Sequence, residues 1–132
     1  MYLGIWNFLF ERILKFAFKE SEEIIHALCA HPNTDFQVTN KRGFNCFQYA
    51  ALKGNCYAMK KIIEYGGNQY VEYPKDDGFL PLHLASLNGH FDAVSWLLQE
   101  GNADILKVDN RGQNCLHCAI HQGHVQVGVT YP

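Results

Sequence analysis

Residues 78–90 read Gly-Phe-Leu-Pro-Leu-His-Leu-Ala-Ser-Leu-Asn-Gly-His. The pattern occurs twice more: residues 43–55 read Gly-Phe-Asn-Cys-Phe-Gln-Tyr-Ala-Ala-Leu-Lys-Gly-Asn, and residues 112–124 read Gly-Gln-Asn-Cys-Leu-His-Cys-Ala-Ile-His-Gln-Gly-His. The leading glycines, at positions 43, 78 and 112, are 35 and then 34 residues apart. A constant period of this length indicates an array of repeated structural units.

A second apolar stretch follows each of the first two segments. Ala58-Met59 is followed by Ile62-Ile63, and Ala93-Val94 by Leu97-Leu98, which is the spacing of one helical face. Glycine comes next in both cases, where it can end a helix in the left-handed conformation. The predicted unit is a turn, a short helix, a glycine loop, a second helix, a glycine stop and an extended return.

This unit resembles the ankyrin repeat. The family's Thr-Pro-Leu-His-x-Ala signature is best kept in residues 81–85, and residues 116–119 keep its second half. The resemblance implies an all-α solenoid of stacked helix-turn-helix units, with two complete and two partial repeats. Ala50, Ala85 and Ala119 are then the small residues where helices approach closely, and neighbouring repeats supply the stability.

The repeat boundaries predicted for a single domain, residues 1–132, follow from this register. Residues 13–42 form a degenerate repeat, 43–77 and 78–111 complete repeats, and 112–127 a truncated one, after an apolar N-terminal helix at 1–12. The chain is expected to be a monomer or a fragment of a larger chain. Because no polar cap is evident at either end, the pattern favours a fragment, a short isoform or a mis-joined gene model over a complete protein.

Several positions depart from the family signature. Its threonine is replaced by Asn45, Leu80 and Asn114, and its histidine by Gln48 in the first complete repeat. Asparagine can still accept a backbone hydrogen bond at the start of a helix, whereas leucine cannot.

Composition excludes some classes of function. The 132 residues are 48% hydrophobic with a net charge of −2, so no basic excess supports nucleic-acid binding. Five cysteines, an odd number, favour reduced thiols and a cytoplasmic protein. Charged residues at positions 11, 12 and 15 interrupt the apolar N-terminus, so a packing helix is preferred to a membrane anchor formed by residues 1–18.

The spacing of a possible metal cluster is seen in Cys115, His117, Cys118, His121 and His124. The repeat already accounts for His117 and His124, and the remaining residues, so close on one helix, rarely complete a tetrahedral site. No nucleophile and base stand at a suggestive spacing. We therefore predict no metal, no cofactor and no catalytic residue.

Ankyrin proteins contact partners through the turn tips and the exposed side of the first helix. The resemblance implies an apolar ridge of Phe44, Leu52, Phe79 and Leu87 on a concave face, the alternative being that the two phenylalanines fold inward. By position, the full set predicted to bind a protein partner is Lys41, Arg42, Phe44, Leu52, Lys53, Asp76, Asp77, Phe79, Leu87, Asn88, Asn110, Arg111, Gln113, His121 and Gln122.

Four segments are similar to the later ankyrin repeats of the mind bomb family of E3 ubiquitin ligases: 43–45, 50–55 with 58–59, 75–79 followed by 82–85, and 99–103. That resemblance implies an interaction scaffold acting in Notch-ligand ubiquitination and endocytosis. It implies no enzyme activity for the chain itself, because the RING cysteines are absent from this sequence. The alternative is an unrelated small ankyrin adaptor or inhibitor that stands alone.

Overall fold

A computed structural model describes residue 12 and residues 19–121, with side chains described from 21 to 120. These residues form six α-helices and one short 3-10 helix, and they contain no β-strand. The elements are α1 (Lys19–Ala30), α2 (Cys46–Lys53), α3 (Cys56–Gly66), the 3-10 helix (Asn68–Glu72), α4 (Pro81–Leu87), α5 (Phe91–Gln99) and α6 (Cys115–His121).

The helices form two stacks. The first helices of successive units pack on each other in the order α2, α4, α6, and the second helices in the order α1, α3, α5. Within a unit, α2 packs on α3 and α4 on α5. This is the all-α repeat fold that the 34-residue period predicts. The helix predicted at 1–12, the first helix expected near residues 13–19 and the end of the last repeat after 121 lie outside the described residues.

The core lies between the stacks. Ala50, Ala85 and Ala119 are fully buried, which confirms that the repeated alanines lie where helices approach closely. Larger apolar side chains from the second helices fill the space around them; Ile25, Met59, Ile62 and Leu97 have no exposed surface. Each unit completes its core only with its neighbour, as expected of a solenoid.

At the start of two of the first helices, an asparagine caps the helix where the family signature has threonine. Asn45 Oδ1 accepts the backbone N–H of Gln48 at 2.8 Å, and Asn114 Oδ1 accepts that of His117 at 3.1 Å. Leu80 makes no side-chain cap, as predicted. Pro81 follows it at the first helical position, where a missing N–H costs nothing.

Gln48 replaces the signature histidine with little chemical change. His83 Nδ1 accepts the Leu80 N–H at 3.1 Å, and its Nε2–H therefore donates to the carbonyl of Lys107 at 3.2 Å. Gln48 Oε1 accepts the Asn45 N–H at 2.9 Å, and its Nε2 donates to the carbonyl of Tyr73 at 3.1 Å. Both side chains therefore tie the start of a first helix to the return segment that leads to the next unit.

The return segment after α3 corrects one expectation. An extended stretch was predicted there, but Asn68–Glu72 is a 3-10 helix. Tyr70 and Val71 are buried within it, and turning the backbone brings both of these neighbouring side chains into the core, which a straight strand would not do.

Candidate protein-binding face

The first and third turns that precede a first helix are each closed by the side chain of the residue three positions before the turn's glycine. Asn40 Oδ1 accepts the backbone N–H groups of Arg42 and Phe44, both at 3.0 Å. Asp109 Oδ1 does the same for Arg111 at 2.8 Å and Gln113 at 3.0 Å. These bonds hold the first and third turns in one shape and expose the two residues between the closing side chain and the glycine.

The closing carboxylate of the third turn is buried. Burial disfavours its charged form, but the backbone N–H groups of Gln113 and Arg111 donate to it and His83 and Arg111 lie nearby, so the pKa of Asp109 falls below its ordinary value. Asp109 Oδ2 makes no direct hydrogen bond among the described residues and lies 3.9 Å from a guanidinium nitrogen of Arg111.

Lys75 holds the equivalent position in the middle turn and works differently. Its side chain is 6% exposed, and its Nζ donates to the carbonyl of Arg42 in the preceding turn at 3.1 Å. The same nitrogen lies 4.2 Å from the centroid of the Phe44 ring. Lys75 therefore joins the first two turns. The sequence analysis missed it, although a lysine where the other repeats carry Asn40 and Asp109 was a visible signal.

Phe44 does not face a partner. Its side chain is 7% exposed and packs edge-on against Tyr49, with ring centroids 6.0 Å apart. The Lys75 ammonium covers one part of the ring, and the Arg42 guanidinium lies 5.3 Å from its centroid. The prediction that Phe44 is an exposed anchor is wrong, because two cations close the turn over it.

The other members of the predicted ridge are half-buried. Phe79 packs against the core, with the Arg111 guanidinium 5.6 Å from its ring centroid. Leu52 also packs against the core, and Leu87 is only partly accessible. The apolar ridge is therefore covered for much of its length, and whether its accessible parts touch a partner stays a prediction.

The exposed members of the predicted set are mostly charged or polar. Lys53 lies with its Nζ 5.6 Å from the Tyr49 ring centroid, and Asn88 Nδ2 donates to the carbonyl of Leu52 at 2.9 Å, so both also cover the first helices. Gln113 is half-buried; the His121 side chain and Gln122 lie outside the described part. The exposed members are Lys41, Arg42, Lys53, Asp76, Asp77, Asn88, Asn110 and Arg111.

The three turn tips lie side by side. Besides the contact of Lys75 with Arg42, Asn110 packs against Gly78, where an added Cβ would meet the Asn110 Oδ1 at 2.2 Å. Open grooves of about 350 and 460 Å³ lie between the first and second turns and between the second and third. The turn tips and the exposed sides of α2, α4 and α6 thus form one continuous surface, called here the binding face.

The thiols are not arranged for nucleophilic chemistry. Burial raises the pKa of Cys29 to about 12 and that of Cys118 to about 11, so both stay protonated at neutral pH. Cys115 is buried and points its Sγ at the carbonyl of Ile105, 3.9 Å away. His117 uses Nδ1 to accept the Asn114 N–H at 3.2 Å.

The described residues contain neither a group of side chains suited to a metal ion nor a helix suited to a membrane. Within residues 12 and 19–121, no three or more histidine, cysteine, aspartate or glutamate side chains are grouped so that they could hold a metal ion. None of the helices in that part of the chain has the length and apolar character needed to cross a bilayer.

Comparison with known proteins agrees with the fold. The family model described as ankyrin repeats in three copies matches residues 13–109 and, in a second register, residues 47–131. The chain belongs to the ankyrin-repeat family. Ankyrin repeats are non-catalytic modules that bind other proteins. That this chain does so through the binding face stays a prediction.

Individual relatives cover only part of the chain. The E3 ubiquitin-protein ligase MIB2 of Gallus gallus is 59% identical over 32 residues, which is 24% of this chain and 3% of that protein. The ankyrin repeat protein nuc-2 of Neurospora crassa is 30% identical over 84 residues, covering 62% of this chain and 8% of that protein. Alpha-latrotoxin-Lh1a of Latrodectus hasselti is 27% identical over 95 residues, which cover 72% of this chain and 7% of that protein.

The chain therefore spans less than a tenth of the length of each of these three relatives. The match to MIB2 supports the resemblance to mind bomb ankyrin repeats. The other two matches have lower identity over longer stretches, as expected when the repeat pattern itself is what two sequences share.

Proposed function

We propose that this chain is a protein-interaction scaffold and forms part of the ankyrin array of a mind bomb-like E3 ubiquitin ligase. The observation that carries the scaffold role is the continuous binding face, on which rigid turns expose charged residues beside the first helices. The 59% identity to MIB2 supports the finer assignment, as do the four segments that resemble mind bomb repeats. In this proposal the array selects or positions a partner, and other domains perform ubiquitin transfer.

The pathway is part of the same proposal. The mind bomb resemblance points to ubiquitination and endocytosis of Notch ligands, in which the chain would supply contacts and no catalytic group. A stand-alone ankyrin adaptor or inhibitor is the second candidate. It applies if the resemblance to mind bomb repeats comes from the ankyrin pattern alone, a pattern that the match to nuc-2, 30% identical over 62% of this chain, also carries.

A comparison of captured proteins tests the scaffold role. The full chain, its Arg42→Gln/Arg111→Gln variant and its Lys60→Gln variant are immobilised separately and exposed to cell extract, and bound proteins are quantified by mass spectrometry. Lys60 is exposed on α3, away from the binding face, and its variant is the control for removing a positive charge elsewhere on the surface. The proposal expects one set of proteins that the double variant loses and the control retains.

The same experiment separates the two candidates. Recovery of ubiquitin-conjugation components or Notch ligands in the set lost by the double variant supports the ligase assignment. A set without them supports the adaptor. If neither that variant nor changes at Lys53 and Asn88 alter the captured set, the scaffold role of this face is overturned.

We also propose a cytoplasmic location. All five cysteines are free, and four of them are buried, which suits a reducing compartment. Imaging of a fluorescent fusion of the full chain, with cell fractionation, tests this; recovery in the secretory pathway would contradict it.

A further inference from the structure

The exposed charge on the turn tips changes sign from one repeat to the next. The first tip carries Lys41 and Arg42, the second Asp76 and Asp77, and the third Arg111. Asp76 has a side chain 83% exposed and Arg111 one 66% exposed, so these charges face solvent. We call this series of tips the charge row: basic, acidic, basic.

The charges in the row are only partly neutralised within the protein. Lys41 and Arg42 have no carboxylate within ion-pair distance among the described residues. Asp76 and Asp77 lie 3.5 and 3.7 Å from Lys75 Nζ, so one buried cation faces two exposed carboxylates. Arg111 meets a buried Asp109 oxygen only at 3.9 Å. Each tip keeps exposed charge that a partner can pair with.

We propose that the charge row binds an extended segment of a partner protein whose charges alternate acidic, basic, acidic. This inference rests on the scaffold role proposed above and adds the chemistry of the partner. Complementary charge fixes the register and direction of such a segment, because a shift by one tip brings like charges together. The grooves between tips provide room for its intervening residues.

The spacing of the partner's charges follows from the stacking. Packed helices lie about 8–10 Å apart, and an extended chain advances about 3.3 Å per residue. Successive tips therefore correspond to about three residues. The expected pattern is an acidic residue, two neutral residues, a basic residue, two neutral residues and an acidic residue.

The acidic middle tip, Asp76 and Asp77, disfavours binding of a polyanion to the charge row. A nucleic acid or an anionic membrane would pair with Arg42 and Arg111 but would meet Asp76 and Asp77 between them. Like charges in direct opposition weaken such a complex. The alternation of the row is thus what favours a protein segment.

Three synthetic nine-residue peptides in a glycine-serine background test the proposal. The first has Asp, Lys and Asp at positions 2, 5 and 8. The second has the same composition in the order Asp, Asp, Lys, and the third has Asp at all three positions. Each is titrated into the full ¹⁵N-labelled chain, and the dissociation constant is read from amide chemical shifts, which detect millimolar binding.

We expect the alternating peptide to bind at least threefold more tightly than either of the others, with shifts at residues 41–44, 76–79 and 110–113. The size corresponds to one or two exposed ion pairs. The advantage should shrink as salt is raised from 0.05 to 0.5 M, because such charges are screened.

A charge reversal supplies the sharper comparison. In the Asp76→Lys variant the preference should invert, so that the three-aspartate peptide binds more tightly than the alternating one. Asp76 is chosen because its carboxylate accepts no backbone hydrogen bond in this structure, whereas Asp77 Oδ1 accepts the Phe79 N–H. Lys60→Gln should leave the order unchanged.

If the peptide with the order Asp, Lys, Asp and the peptide with the order Asp, Asp, Lys bind with equal affinity, the charge row is overturned. It is also overturned if Asp76→Lys does not change which peptide binds more tightly. Tighter binding of the wild-type chain to the three-aspartate peptide or to DNA would show a polyanion site in its place. Partner capture that depends on Lys53 and Asn88 but not on the tips would overturn the charge row and leave the scaffold role standing.

Discussion

Adding one methyl group at Gly54 should disturb the contact between two repeats. Gly54 ends α2 with φ +72°, and its N–H donates to the carbonyl of Ala51 at 3.1 Å. A Cβ at this position would lie 2.5 Å from Cγ and 2.6 Å from Nδ1 of His90, the residue before α5. Gly54→Ala therefore combines backbone strain with a steric clash against the next repeat.

The two costs can be estimated separately. Placing a residue other than glycine in the left-handed region costs about 1–2 kcal/mol. Overfilling a packed contact costs about 1–3 kcal/mol. The variant should therefore lose about 2–5 kcal/mol of unfolding free energy, a large share of the stability of a small domain.

Gly112→Ala is the matched control. Gly112 has φ +77°, but an added Cβ would meet no atom within 4 Å, so only the backbone cost of about 1–2 kcal/mol applies. Equilibrium urea unfolding followed by circular dichroism measures both variants. His90→Ala, combined with Gly54→Ala in a double-mutant cycle, should recover the steric share as a coupling of about 1–3 kcal/mol.

Two results would refute this account. Equal losses for Gly54→Ala and Gly112→Ala would mean that no steric clash exists at Gly54. A coupling near zero in the cycle would mean that the His90 ring does not lie against Gly54, and the contact between these repeats would then have to be redrawn.

Ala85→Asp should abolish the cooperative circular-dichroism melt, because an unpaired carboxylate in this fully buried position costs several kcal/mol; an unchanged melt would contradict the repeat register. Phe44→Ala should lower the free energy of unfolding in urea by about 3–5 kcal/mol, because the ring is buried. Lys53→Ala, at an exposed position, should change it by no more than about 0.5 kcal/mol. A small loss for Phe44→Ala would mean that the ring is exposed. Asp109→Asn should keep the turn, since Asn40 closes its own turn the same way. The lowered pKa of Asp109 adds stability that is fully present above the ordinary aspartate pKa and is lost as pH falls through the lower pKa of the folded state. The variant should therefore flatten the acid limb of a stability–pH curve, and a limb parallel to that of the wild type would argue against this. Excess EDTA should leave the melting temperature unchanged, and a large drop with zinc in elemental analysis would overturn the assignment of His117 as a repeat residue.

The fold could be predicted from the sequence because residues that recur in each repeat occupy equivalent packing positions. Small residues recur at positions 50, 85 and 119, since that position touches a neighbouring helix in every unit. The signature histidine and its Gln48 replacement could likewise be aligned without coordinates. Averaging over three copies makes such signals visible even where one copy departs from the pattern.

The binding face was harder to predict because exposure depends on contacts between repeats. Alignment placed Phe44 at a turn tip, but its burial depends on Lys75 reaching back from the following turn. A lysine at a turn ordinarily suggests a solvated charge, and the sequence alone does not show that its ammonium lies over a ring. Most of the exposed residues in the predicted partner-binding set carry a charge, and burying a charged side chain is costly at any position.

The bond from Lys75 Nζ to the Arg42 carbonyl also concerns how the turns open. Local opening of the middle turn breaks this bond and uncovers Phe44, so the first two turns should exchange their amide hydrogens as one cooperative unit. A Cβ added at Gly112 would meet no atom within 4 Å, and among the described residues no lysine ties the third turn to a neighbouring one as Lys75 ties the first two. It should exchange independently and faster. The array would then fray turn by turn from the Arg111 side, while the two earlier turns resist proteases together.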